Sequence, residues 1–588
     1  MNNPQKLITE NLNIWTAAIK KRGSQGRGSS KKIELHGIKK LRELILELAV
    51  RGLLVPQNPN DEPASVLLEK ISAEKAQLIK DGKIKKQKPL PEITDEVKPF
   101  ELPKGWEWKR LCDVYDVRDG THDTPKYQLS GYPLVTSKNL STGKLDLADV
   151  KYISSEDHKK IIDRSKVDKQ DILFAMIGSI GNPVIVDVDI EFSIKNVALF
   201  KYYSIALSNP RFLHIFLLHA QHVFKEQSSG AVQSFVSLGK IRGFIAAIPP
   251  EAEQPRIVAK VDELMALCDQ LEQQTENSLT AHQTLVETLL NSLLDAAQTY
   301  PGHASGLSDD TNLDLKADTK RHKNKTNSDP FQQAWLMIWE NFDALFTTEH
   351  SIDQLKQTIL QLAVMGKLVP QDPNDEPASV LLEKIAAEKE QLLKDGKIKK
   401  QKPLPEISED EKPFELPKGW EWIRFGNIYE LEYGNNLPKG NRSNSGEYPV
   451  YGSNGVVGTH NEACVTNPCI VVGRKGSAGA LNLNNSNGCW VTDVAYSVIP
   501  PKYLLLSYVY LMFHTLKLDE LGKGIKPGLS RNEAYQLATA LPPEAEQPHI
   551  VAKVDELMAL CDTLNERIRQ SKITQLQLAD AMAEQALT

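Results

Sequence analysis

Apolar residues recur at helical spacing in four stretches of the chain. Ile38, Leu41, Ile45 and Leu48 follow a 3-4-3 rhythm, and Ile352, Leu355, Ile359 and Leu362 repeat it. Ile257, Val261, Leu264, Cys268 and Leu271 form a longer stripe, matched by Ile550, Val554, Leu557, Cys561, Leu564 and Ile568. A spacing that averages about 3.5 residues lines up one helix face and describes a coiled-coil seam. The first long helix is expected from about Gln254 to Gln298, with Pro255 in its first turn, and on the order of 70 Å long. Two ordinary bundle helices would also satisfy the pattern. A coiled-coil pair is preferred, because an isolated helix this long needs a partner stripe to bury.

Elsewhere the pattern is that of short strands. DILFAMIGSIGNPVIVDVD, starting at Asp171, reads as strand, glycine turn, strand, and so does CIVVGRKGSAGALNL, starting at Cys469. Gly178-Ser179-Ile180-Gly181 aligns with Gly476-Ser477-Ala478-Gly479, and Asn196-Val197-Ala198 with Asp493-Val494-Ala495. The two strand-rich segments are therefore expected to share one α+β fold.

The helical segments are copies of each other. DEPASVLLEKISAEKAQLIKDGKIKKQKPLPEI (61–93) recurs at 375–407 with changes only at Ser72/Ala386, Ala76/Glu390 and Ile79/Leu393. The likeness continues through KPFELPKGWEW to Trp108 and Trp422. A second block, PPEAEQPRIVAKVDELMALCDQL (249–271), recurs as PPEAEQPHIVAKVDELMALCDTL (542–564). So long a period is not that of a solenoid array. One large unit is duplicated, as two near-identical frames around two divergent inserts. The expected parts are a helical region at 1–101, an insert domain at 102–250, a long helix at 251–300 and a polar linker at 301–330. A second helical region at 331–415, a second insert domain at 416–543 and a second long helix at 544–588 follow. KRGSQGRGSSKK (21–32) reads as a loose basic connection.

Composition removes several classes. The chain has 588 residues, 41% hydrophobic and 25% charged, as in a globular protein of several domains. No apolar run is long enough to cross a bilayer, and the N-terminus lacks a signal peptide's apolar core. Six scattered Cys suit a reducing, cytoplasmic setting rather than a disulfide framework. There is no phosphate-binding Gly-Lys-Ser/Thr loop, no dinucleotide fingerprint and no Asn/Asp-Pro-Pro-Tyr/Phe methyltransferase tetrapeptide. His460, Cys464, Cys469 and Cys489 match no standard zinc spacing and the cysteines are read as buried thiols, while His122 beside Asp123 is read as a polar loop residue rather than a catalytic pair. The chain is expected to be non-catalytic, with no metal and no cofactor of its own.

Charge separates the parts. The net charge is −6, yet residues 102–250 hold 19 basic against 16 acidic side chains, and 416–543 hold 11 against 9. The inserts are the positive part, and their loops carry the groups that read bases and phosphates. In the first insert the candidates are Arg118, Gly120, Thr121, His122 and Lys126, then Lys138 and Asn139. Ser179, Gly181 and Asn182 at the glycine turn and Ser229, Gln233 and Ser234 follow. In the second they are Asn435, Lys439, Asn441, Arg442, Tyr451, Ser453 and Asn454, then Arg474, Lys475 and Ser477, then Lys526. Such loops are also common surface turns.

The whole plan resembles the specificity subunits of type I restriction–modification enzymes. The resemblance is carried by Leu-Pro-Lys-Gly-Trp-Glu-Trp opening each insert (102–108, 416–422) and Pro-Pro-Glu-Ala-Glu-Gln closing it (249–254, 542–547). Asp119-Gly120-Thr121-His122, the Tyr448–Gly455 stretch and the Gly-Ser-x-Gly turns look like that family's target recognition domains. The resemblance implies that each insert reads one half of a bipartite site on double-stranded DNA. It implies two long helices packed antiparallel as a spacer, one such chain per complex, and docking of two methyltransferase subunits and, through them, restriction subunits. S-adenosylmethionine, ATP and Mg2+ would belong to those partners. The alternatives are a scaffold whose inserts bind proteins and, less well supported, a stand-alone enzyme.

Overall fold

The apolar stripes bury as helices. In the computed structural model, which describes residues 4–21, 33–228, 235–299, 330–396, 398, 402–443, 445–521 and 528–587, two compact units are distinguished. One comprises Met1–Asn277 with Ser571–Thr588, the other Ser278–Gln570. The seven expected parts condense into these two because each insert packs on the frame segments beside it. In the first unit Val50, Ala64, Leu67 and Ile71 of the frame share one core with Leu111, Phe174, Leu217 and Ile248 of the insert. The expected linker 301–330 lies outside the described residues except Pro330, and the basic stretch 21–32 except Lys21.

The first unit opens with α1 (Pro4–Thr9), α2 (Leu12–Ala17), a ribbon of β1 (Lys20–Lys21) with β2 (Ile33–Glu34), α3 (His36–Val50) and α4 (Ala64–Lys80). Its insert runs β3 (Glu107–Arg110), α5 (Leu111–Val114), β4 (Tyr115–Asp119), β5 (Tyr132–Val135), β6 (Lys151–Ile153) and α6 (Ser155–Ser165). It continues with β7 (Ile172–Ala175), β8 (Gly181–Ile185), β9 (Ser193–Ile194), β10 (Val197–Tyr202), α7 (Pro210–Ser228), α8 (Leu238–Gly243) and β11 (Ile245–Ile248). The long helix α9 (Gln254–Thr299) then starts within one residue of PPEAE.

The second unit repeats the plan. It has α10 (Pro330–Glu340), α11 (Phe342–Leu345), α12 (Glu349–Val364) and α13 (Ala378–Lys394). Then come β12 (Glu421–Arg424), α14 (Phe425–Ile428), β13 (Glu432–Tyr433), β14 (Tyr448–Gly452), β15 (Gly455–His460), β16 (Cys469–Gly473) and β17 (Leu481–Asn484). β18 (Trp490–Val491), β19 (Ala495–Val498), α15 (Leu506–Thr515), α16 (Arg531–Tyr535), β20 (Ala538–Leu541) and α17 (Glu546–Gln585) follow, α17 from Ser571 belonging to the first unit and α9 from Ser278 to the second.

The inserts match strand for strand. The sheet β4-β10-β7-β8 has its counterpart in β13-β19-β16-β17, and β6-β5-β9 in β15-β14-β18. In both small sheets the last pairing is parallel and the other antiparallel. The central strands explain their unbroken apolar runs. Ile172 and Phe174 face one core, with α7, while Leu173 and Ala175 face a second, with Val135 and Ile194. Ile470 and Val472 against Cys469 and Val471 repeat this division. A strand covered on both faces needs apolar side chains at every position.

The seam residues are buried from Ile257 to Leu271 and from Ile550 to Cys561, with Leu564 and Ile568 partly buried, and part of what covers them is local. Ile550, Val554, Leu557 and Cys561 share a core with Ile352, Leu355, Ile359 and Leu362 of α12. Arg42 of α3 is paired with Asp269 and Glu272 of α9, at 2.7 Å each, and Lys356 of α12 with Asp562 of α17.

Each insert is fastened by the same small network. Trp106 Nε1–H donates to Glu253 Oε2 at 3.0 Å, and Gln57 Nε2–H to Glu253 Oε1 at 2.7 Å. In the second unit Trp420 and Gln371 do the same to Glu546, at 2.8 and 2.9 Å. The Gln amides also reach the carbonyls of Gly52 and Gly366. Those glycines have φ of +72° and +68°, and a Cβ would strike Pro103 or Pro417 at 2.6 Å. The duplicated cassette DGKIKKQKPLPEI is clipped down too. Arg110 donates twice to the Pro91 carbonyl, at 3.1 and 2.7 Å, and Arg424 donates to the Pro405 carbonyl at 3.0 Å.

Burial pushes the Glu253 and Glu546 carboxyls above the ordinary 4.5, while the Gln and Trp hydrogen bonds act the other way. A carboxyl with a raised value holds its proton more tightly folded than unfolded. Its contribution is therefore most favourable below pH 4.5 and declines as pH rises through the raised value. Glu253→Ala and Glu546→Ala should each cost about 1–3 kcal/mol by stranding a buried indole N–H. Urea midpoints of the full chain against pH check this. Each substitution should lower the midpoint and flatten its decline above pH 4.5.

Candidate nucleic-acid interface

The first insert gathers its polar loop residues where β4 ends beside β9 and β10. Gly120 must be small there, since a Cβ would lie 2.1 Å from the Ile194 carbonyl oxygen. Thr121 N–H then donates to Ile194 O at 3.0 Å. The turn delivers His122 to the surface, with Nδ1 2.9 Å from Asn196 Oδ1 and Nε2 2.9 Å from Asp119 Oδ2. Arg164 from α6 pairs with the other Asp119 oxygen, and Lys195 reaches Thr124. Lys126 and Ser179 are exposed.

Several expected contacts of this insert are turned inward or already engaged. Asn139 is 4% exposed, and its amide donates to Asp146 O and Asp149 O while its oxygen accepts from Thr136 N–H. It holds a loop together and has nothing left for a base. Gly120 donates its N–H to Val197 O, so it cannot meet a phosphate. Gly181 is buried against Gln221, whose amide oxygen also accepts the N–H of Asn182. Arg118 gives Nε and Nη2 to Asp116, at 2.8 and 2.6 Å, and Lys138 is paired with Asp149. Ser229, Gln233 and Ser234 lie outside the described residues.

The second insert brings its candidates closer together. β14 and β15 are joined by a tight hairpin with Asn454 exposed at its tip. The hairpin lies on the glycine turn after β16, since a Cβ on Gly473 would sit 2.4 Å from the Ser453 carbonyl oxygen. Ser453 and Asn454 thus adjoin Arg474, Lys475 and Ser477, although some twenty residues separate them in the chain. Lys475 is exposed, and Arg474 Nη1–H donates to Asp493 O at 3.0 Å. Asn435, Lys439 and Asn441 are exposed on the β13–β14 connection, and Arg442 donates to Val457 O at 3.1 Å. Tyr451 is the correction here. It is 8% exposed inside the small sheet's core, where burial raises its hydroxyl's pKa, so it supports the hairpin rather than a ligand. Lys526 lies outside the described residues.

Sequence reasoning did not single out Arg164, Lys195, Tyr433 and Arg531, of which Arg164 and Arg531 come from distant stretches. Burial works against the Arg531 charge, yet hydrogen bonds with Tyr535 and Tyr433 hold it above its ordinary value. Asn196 had a local signal: an asparagine with φ of +54° between two strands marks a sharp turn. Cys469 and Cys489 sulfurs lie 3.7 Å apart in an apolar core with Val471 and Val491. The contact with Cys489, together with burial, pushes the Cys469 thiol up. Cys464 Sγ accepts from Val491 N–H at 3.2 Å, and His460 meets Trp490 edge-on. Among the described residues no group of three or more His, Cys, Asp or Glu could hold a metal ion. No helix among them is long and apolar enough to cross a membrane.

Residues 103–281 and 417–575 match the family model of the type I restriction modification DNA specificity domain. The chain is 38% identical to the EcoAI type I restriction enzyme specificity subunit of Escherichia coli and 36% identical to that of EcoEI, over 99% of each chain in both cases. A solved chain from a study of type I R-M complex assembly is 17% identical, with a TM-score of 0.43, covering 83% of this chain and 99% of its own. The HsdS subunit from Thermoanaerobacter tengcongensis, also 17% identical, gives 0.37 over 83% and 98%. With two copies of the specificity domain and similarity along its whole length, the chain belongs to the specificity subunits of type I restriction enzymes.

Proposed function

We propose that this chain reads a bipartite, asymmetric site on double-stranded DNA, one half with each recognition domain. The observation that carries the reading is the pair of strand-matched inserts whose rims differ in chemistry. At the aligned turns one domain has Met176, Ile177 and Asn196 where the other has Arg474, Lys475 and Asp493. Amide side chains suit adenine edges, and arginine and lysine suit guanine edges and phosphates. Different side chains on one scaffold favour different half-sites.

The repeated frame blocks, by contrast, are nearly identical, 61–93 differing from 375–407 at only three positions, which supports two equivalent docking surfaces for two methyltransferase subunits. Restriction subunits would join through those, with one copy of this chain per complex. S-adenosylmethionine, ATP and Mg2+ are assigned to the partners, and this chain to recognition in the cytoplasm. α9 and α17 are proposed to pair antiparallel as a spacer in a pseudo-two-fold arrangement. Half-sites about one helical turn apart, roughly 34 Å, would then face one side of the duplex.

Exchanging residues 416–543 for another recognition domain should change one half of the methylated site and leave the other intact. Methylome sequencing reads this directly, and a change in both halves would sink the assignment of one half-site to each domain. Asn454→Ala in the complete complex should relax one position of the second half-site by about 1–3 kcal/mol. Asn139→Ala should instead lower thermal stability and leave base preference unchanged. Gel shifts of the methyltransferase complex should weaken linearly in log–log fashion with salt. A protein-binding scaffold would give no such dependence on DNA.

A further inference from the structure

Three side chains from three separate stretches meet at one edge of the second recognition domain. Tyr433 ends β13, Arg474 opens the glycine turn after β16, and Arg531 starts α16. The guanidinium carbons of Arg474 and Arg531 lie 4.7 and 5.1 Å from the centre of the Tyr433 ring. Arg474 is also 5.8 Å from the Tyr496 ring, and Arg531 5.4 Å from that of Tyr535. Tyr433 is 53% exposed, so the arrangement stands at the surface.

The backbone holds the arginines in place. Leu529 N–H donates to Arg474 O at 2.9 Å, and Tyr496 Oη–H to Leu529 O at 3.2 Å. Arg531 donates Nε–H and an Nη2–H to the Tyr535 hydroxyl oxygen, at 3.2 and 2.8 Å. Arg474 gives one Nη1–H to Asp493 O. Each guanidinium has five N–H donors, so both keep donors to spare.

Two like charges on one ring repel each other. Arg531 forms an ion pair with Glu430 at 3.7 Å and has Glu432 nearby, whereas among the described residues Arg474 makes no ion pair. The ring faces offset part of that repulsion and fix the guanidinium planes. Exposed Lys475 adds a third positive charge beside them. Arginines fixed in this way, with free in-plane donors, are preorganised for phosphate.

We propose that Tyr433, Arg474 and Arg531 form a clamp for a backbone phosphate of the DNA half-site read by the second recognition domain. The clamp rests on the DNA-reading function proposed above and assigns to it an anchor that the first domain lacks among its described residues. At the aligned turn of the first domain, buried Met176 and half-buried Ile177 replace Arg474 and Lys475. Arg242 of that domain is spent on the Val117 carbonyl, at 2.8 and 2.6 Å.

The test uses the complete methyltransferase complex on a duplex bearing its methylated site. Arg474→Gln and Arg531→Gln together should reduce the log–log salt slope by about 1 and each alone by less, with the same loss of affinity on every variant of the site. Ethylating a single phosphate in the second half-site should weaken the wild-type complex and no longer affect the double variant. Tyr433→Leu removes the ring, leaves the Asp493 and Tyr535 contacts, and should lower affinity in the same uniform way. It supplies the measurement if a glutamine variant fails to fold. Unchanged slopes and interference, or an altered base preference in place of a uniform loss, overturn the clamp. A wild-type complex that binds all duplexes equally would overturn the DNA-reading function itself, a separate result.

Discussion

Everything in each half hangs on one buried carboxylate. Glu253 and Glu546 sit at the starts of the long helices, yet their hydrogen-bond donors come from the opposite end of the insert and from the frame before it. One side chain therefore gathers three stretches far apart in the chain. A buried, ionisable acceptor is costly, and here its donors are an indole and an amide rather than a cation. The cost is tolerable only if the donors arrive in register, which ties the helix start, the insert's first strand and the preceding loop into a single geometry.

Duplication makes that requirement visible. Both units keep Gln, Trp, Glu and the positive-φ glycine, while their inserts have diverged in all but topology. Residues that hold the insert must match in both halves. Residues on the rim, such as Asn454 and His122, need only emerge from turns that the sheet supports.

Much of this was legible in the sequence. The 3-4 rhythm of Ile257 to Leu271 gave α9 within a residue of its observed end, and the glycine turns gave β7–β8 and β16–β17. The rim was legible as loops and not as side chains. Asn139 looked like a base reader because it lies in a polar loop, yet its short amide is consumed bridging that loop's own carbonyls. Tyr451 looked like a surface aromatic, yet strand alternation turns it into the small core. Tyr433 and Arg531 could not be paired in advance, because nearly a hundred residues and several strand crossings separate them. Period and turn chemistry are local properties. Which polar side chains remain free depends on packing between distant stretches.

The short pairings β3–β11 and β12–β20 have a further consequence. Each brings the first and last strands of an insert side by side, about 4.8 Å apart, before the rest of the domain is counted. To the frame an insert is therefore a loop whose ends are already joined. Loop-closure entropy varies only with the logarithm of length, so the roughly twenty-residue difference between the inserts costs on the order of 0.2 kcal/mol. The frame is nearly indifferent to how much chain is threaded between those strands. Lengthening or pruning a recognition loop is then a matter internal to the insert, invisible to the helices that carry it.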